Sequence, residues 1–134
     1  MATFCGNSFL PPSTALIDKT KFHSTSKPFY LNFIGIDIFS AFRTNILAPL
    51  DGKVVIIKNN TLKYDYGPTV VLEHLINKEI KFYTLYGHLS KRCLKKLKIG
   101  QVIKKGEIFS DIGNYPTNGN WPPHLHFQII VDLM

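Results

Sequence analysis

Apolar and polar residues alternate with a period of two along most of this chain, most clearly near its end. In Trp121-Pro122-Pro123-His124-Leu125-His126-Phe127-Gln128-Ile129-Ile130, apolar Leu125, Phe127 and Ile129 alternate with His124, His126 and Gln128. This is the pattern of a half-buried strand. A strand sends alternate side chains to one face, so the two imidazoles stand side by side with an apolar row behind them. Asn32 to Phe39 (NFIGIDIF) predicts the first strand, with Gly35 permitting close backbone approach. Thr44 to Ala48 predicts a short strand, Pro49-Leu50-Asp51-Gly52 a turn, and Lys53 to Lys58 (KVVIIK) a buried strand. Asn59-Asn60 opens a polar loop that runs through Gly67-Pro68. Thr69 to Ile76 and Ile80 to Ser90 then flank Asn77-Lys78-Glu79 as the arms of a hairpin. In the second arm the alternation puts Phe82, Thr84, Tyr86 and His88 on one face. Lys91 to Lys105 reads as a solvated loop leading into a strand, and Val102 to Phe109 and Asp111 to Gly113 add short strands. With strands throughout, no long amphipathic helix and turns at short intervals, the pattern predicts an all-β sandwich or barrel.

Residues 1–29 are rich in Ser, Thr, Pro and Lys without sustained periodicity. They read as an irregular lead-in with at most a short helical turn, leaving 30–134 as the folded domain. At 134 residues the chain is long enough for one domain. A hydrophobic content of 45% with abundant Val, Ile, Phe and Tyr suits a β-rich core. The net charge of +7 biases the surface toward polyanions without specifying a fold. Seven of the sixteen cations fall between Lys91 and Lys105, in keeping with a solvated face or a polyanion patch. Cys5 and Cys93 are too few and too far apart for a disulfide framework or a Cys-rich zinc site. Met1 to Leu10 lacks the basic start and long apolar core of a secretory signal, and no run approaches the ~18 apolar residues of a membrane span. The expectation is a cytoplasmic protein, or a piece of a larger one whose targeting lies elsewhere.

The candidate chemistry centres on His-x-His. Two neutral imidazoles on a rigid strand suit a metal ligand beside a proton shuttle, or they are ordinary strand residues. Asp37, between Ile36 and Ile38, is either on a solvated face or a ligand. His74, in the first hairpin arm, reads as structural.

Five segments occur in order: Gly35-Ile36-Asp37, Ala48-Pro49-Leu50-Asp51-Gly52-Lys53-Val54, Leu85-Tyr86-Gly87-His88-Leu89-Ser90, Ile99 to Gly106 (IGQVIKKG), and His124-Leu125-His126-Phe127. Together they resemble the lysostaphin/LytM-type zinc endopeptidase domain over about residues 30–131. The wording Tyr-Gly-Pro-Thr-Val-Val-Leu-Glu-His and Trp-Pro-Pro-His-Leu-His-Phe is further similar to the variant of that domain in bacterial fusion proteins with phosphotransferase-like and class III aminotransferase domains. The resemblance implies a β-sandwich of the duplicated hybrid motif type. It implies Asp37 and His126 as zinc ligands, and His88 and His124 as the residues that orient and deprotonate a zinc-bound water. Zinc brings the pKa of such a water to about 7 and polarises the scissile carbonyl, and a neutral imidazole can accept its proton.

One position departs from that pattern. The first ligand of the family falls on Phe33, whose ring cannot bind zinc, where catalytic sites use three protein ligands plus water. Asn32 points to the opposite face of a strand, and nothing in the sequence positions His23 to substitute. The expectation is therefore zinc weakly bound or absent, and a LytM-like peptidase that is weakened or degenerate. Two alternatives stand beside it: a non-catalytic module binding a peptide or protein partner, and a biotinyl/lipoyl-like barrel, which Lys98 to Ile108 resembles in part but which leaves the histidines unexplained. The expected partner is a peptide, a peptidoglycan-like substrate or a protein, not nucleic acid or membrane, with the chain a monomer or part of a fusion.

Overall fold

The computed structural model describes residues 34–131. The lead-in 1–29, His23 and Phe33 lie outside the described residues, as do residues 132–134. Runs of β-branched and aromatic residues build the strands. These are β1 (Ile34–Phe39), β2 (Asn45–Leu47), β3 (Gly52–Asn60), β4 (Gly67–Leu75), β5 (Lys81–Gly87), β6 (Val102–Ile103), β7 (Ile108–Asp111) and β8 (His124–Val131). Six form one sheet in the order β1-β8-β5-β4-β3-β6, and β2 pairs with β7 in a small second sheet. Every pairing is antiparallel. The fold is all-β, as the alternation predicts.

One face of the large sheet carries Val54, Val70, Leu72, Tyr86 and Leu125, which share a buried cluster with Ile46 and Phe109 of the small sheet. The core therefore lies between two layers, where removing apolar surface from water is the main stabilising term. Among the described residues no helix is long and apolar enough to cross a membrane.

Two local expectations are corrected. The Lys-rich stretch read as loop contains a short helix, α1 (Arg92–Lys96), which buries Cys93 while Lys95 and Lys96 stay exposed. Two apolar anchors, Cys93 and Leu97, pull this turn into the core despite the surrounding cations. The second correction is His88, which does not share the face of Thr84 and Tyr86. β5 ends at Gly87, and His88 has φ of 59°, a left-handed backbone turn. Gly87 pairs with His126 and Tyr86 with Phe127, so an extended His88 would project away from His126. The turn swings its ring to the other side.

His74 is structural, as its place in the hairpin suggests. It is 2% exposed, and its Nδ1–H donates to the Asp51 carbonyl at 2.8 Å while Nε2 lies 2.7 Å from the Thr84 hydroxyl. The Thr84 and Tyr86 hydroxyls lie 3.0 Å apart, which extends the network into the core. His74→Leu leaves the part-buried Asp51 carbonyl without its partner while the Thr84 hydroxyl keeps Tyr86, at about 1–3 kcal/mol for the group left unpaired. Urea unfolding of that variant is expected to lose about 1–3 kcal/mol; a loss under about 0.5 kcal/mol would show that the network contributes nothing net.

Candidate functional site

The register of three neighbouring strands brings the sequence-predicted residues together. Across β1 and β8, Asp37 lies opposite His126 and Phe39 opposite His124. Across β8 and β5, His126 lies opposite Gly87. Residues directly opposite each other project to the same face, so Asp37, His124 and His126 share one side of the sheet, away from the two-layer core. Gly35 is needed beside them: a Cβ there would sit 3.0 Å from Cε1 and Nε2 of the His126 ring.

The contacts fix the protons. His126 Nδ1 donates to Asp37 Oδ1 at 2.7 Å, and its Nε2 is buried and without a hydrogen-bond partner. His124 Nδ1 donates to the Pro122 carbonyl at 2.7 Å, and its Nε2 lies 3.9 Å from Asp37 Oδ1. His88 Nδ1 donates to the Asn118 carbonyl at 2.8 Å. A carbonyl can only accept, so Nδ1 carries a proton in both rings, and in the neutral ring Nε2 is the acceptor. The His88 and His124 ring centroids are 4.3 Å apart, and Phe39 stacks on His124 at 5.0 Å.

Burial and charge set the electrostatics. The hydrogen bond from His126 holds the half-buried Asp37 carboxyl below its ordinary range, against the opposing effect of burial. Burial, followed by the neighbouring His124, pushes His88 down to about 3. His88 is thus a neutral imidazole at any physiological pH.

Two further residues belong to the site and escaped the sequence pattern. Tyr66, just before β4, packs its ring 4.8 Å from that of His126 and 5.7 Å from that of His88. Burial first, then Asp37 and Asp65, raises its phenol to about 12, so it stays a hydrogen-bonding group and not an anion. Asn118 is fully buried in the loop before β8; its side chain binds the Trp121 carbonyl and amide at 2.9 and 3.2 Å, which fixes the carbonyl that holds His88. The signal for Tyr66 was its place in the Tyr-Gly-Pro-Thr-Val-Val-Leu segment; Asn118 carried none beyond a turn-rich composition.

As a metal site the described residues fall short. Among them no group of three or more His, Cys, Asp and Glu is arranged to hold a metal ion. Asp37 and His126 supply two donors where a catalytic zinc uses three protein ligands.

The fold is a two-layer antiparallel β domain that gathers one carboxylate and three imidazoles beside one another. The chain belongs to peptidase family M23, whose model matches residues 33–133. Solved structures agree. The catalytic domain of a point mutant of EnpA, a prophage-encoded M23 protein from Enterococcus faecalis, is 26% identical with a TM-score of 0.55, over 71% of this chain and 65% of that one. LytU is 31% identical with a TM-score of 0.55, over 75% and 63%. The catalytic domain of the antimicrobial peptidase lysostaphin from Staphylococcus simulans is 26% identical with a TM-score of 0.54, over 80% and 76%. The chain thus spans just under two thirds of the EnpA and LytU chains. A comparison with curated proteins gave no match.

Proposed function

We propose that this M23 domain binds an extended, peptidoglycan-like peptide along the sheet face of Asp37, His88, His124 and His126, and that it hydrolyses such a peptide weakly or not at all. The observation that carries this reading is the Asp37–His126 pair, closed on itself at 2.7 Å beside two imidazoles with free acceptor nitrogens. Position 33, where the family resemblance puts the remaining ligand, is Phe. A metal held by two protein donors is poorly retained and poorly placed to activate water. The polar cleft survives such a loss, because the carbonyls of Pro122 and Asn118 orient His124 and His88 independently of any metal.

Gly-rich and peptidoglycan cross-bridge peptides, titrated against the purified chain and assayed for cleavage with added zinc, test the reading. Saturable binding with turnover at background is expected for the wild type, and loss of binding for His126→Ala. Robust wild-type turnover that vanishes in His126→Ala would establish a working hydrolase instead. Absence of binding by any of these peptides would remove the peptide cleft.

A further inference from the structure

We infer that Gln128 anchors the ligand in this cleft: with His126 it offers one donor and one acceptor, side by side, to the backbone of a single residue of an extended peptide. The inference rests on the peptide-binding reading above and adds to it the main-chain atoms that are recognised.

Gln128 stands two residues beyond His126 on β8 and so on the same face, opposite Leu85 on one side and Gly35 on the other. It is 3% exposed, and its carboxamide nitrogen has no hydrogen-bond partner. Its neighbours further along that face are apolar, with Val71, Tyr83, Leu85 and Ile130 forming their own buried cluster. A leucine would fit such a surface without stranding a polar group, and native proteins bury few unpaired amides. The second unpaired nitrogen on the face is His126 Nε2, one strand step away at roughly 6–7 Å along the chain.

The two atoms are complementary in kind. His126 gives its Nδ1 proton to Asp37, and in the neutral ring its Nε2 accepts. The Gln128 nitrogen can only donate. A residue in an extended chain turns its own N–H and C=O to the same side, as in the hydrogen-bonded pairs of an antiparallel ladder. One such residue matches both atoms, with its N–H directed to His126 and its C=O to Gln128. Recognition through the main chain sets the register of the peptide without specifying its side chain. Shielding from bulk water strengthens both bonds. A buried water bridging the two nitrogens is the competing occupant.

Calorimetric titration with pentaglycine, alongside chemical unfolding, separates the two. Gln128→Met keeps the volume and removes the hydrogen bond; it is expected to weaken peptide binding about tenfold while unfolding stability stays level or rises. Wild-type binding sensitive to N-methylation at one peptide position, and tolerant at the others, is the matching expectation from the ligand side, and it needs no variant to fold. Undiminished affinity in Gln128→Met, or indifference to N-methylation at every position, overturns the anchoring role while leaving the peptide cleft in place. No pentaglycine or cross-bridge peptide binding by the wild type defeats the underlying reading itself.

Discussion

Replacing Phe33 by histidine is expected to tighten zinc binding by about 100-fold or more. Asp37 and His126 already meet on one sheet face, and Gly35 leaves space there for the His126 ring. What Phe33→His adds is the third donor that turns a pair into the usual ligand count of a catalytic zinc. Removing a group that merely supports a ligand costs roughly 10- to 100-fold in affinity or activity, so supplying a ligand outright exceeds that range. Zinc titration by calorimetry reads the change directly. Thermal melts with and without zinc read it again, because a metal that binds only the folded chain stabilises it by about 2.7 kcal/mol at a hundred times its Kd. Asp37→Asn in the Phe33→His background is expected to abolish the gain. Equal affinity before and after Phe33→His would mean that another residue, His23 included, completes the shell, or that the pair does not bind zinc at all.

The legible part of this fold is what period-two alternation encodes. His124, His126 and Gln128 share a face because side-chain direction follows sequence parity along a strand, and Asp37 joins them because β1 pairs with β8 in that register. Gly35 is legible for the same reason: a strand glycine marks close approach, here of the His126 ring. Parity stops being a guide where the backbone leaves the strand. His88 has the parity of Tyr86, yet a left-handed turn at a non-glycine residue moves it to the opposite side, and no periodicity reports a single positive φ. α1 was hidden because its Lys-rich surface resembles a solvated loop, while only Cys93, Leu94 and Leu97 pack against the core. Tyr66 and Asn118 reach His88 from loops distant from it in the sequence, so their roles exist only once the sheet has formed.

Acid is expected to destabilise the domain well before its carboxylates titrate, and His88 is the cause. Its ring is 3% exposed, donates to a carbonyl and lies against His124, so burial and a neighbouring imidazole hold it at about 3 in the folded chain, against 6.5 when unfolded. Between those values the unfolded chain binds a proton that the folded chain refuses. Stability is therefore complete above pH 6.5, falls progressively as pH drops toward 3, and is level again below it as far as this group is concerned. At 1.36 kcal/mol for each pKa unit the full effect is on the order of 4–5 kcal/mol, a large share of the roughly 5–15 kcal/mol typical of a domain. Asp37, whose carboxyl is held low by His126, adds a loss of the same sign, but only below its ordinary value of 3.8. Urea unfolding from about pH 8 to pH 4 should show a steep decline for the wild type and a much flatter one for His88→Gln, which cannot titrate. Parallel declines in the two proteins would assign the acid sensitivity to other groups and show that His88 accepts its proton without unfolding the site.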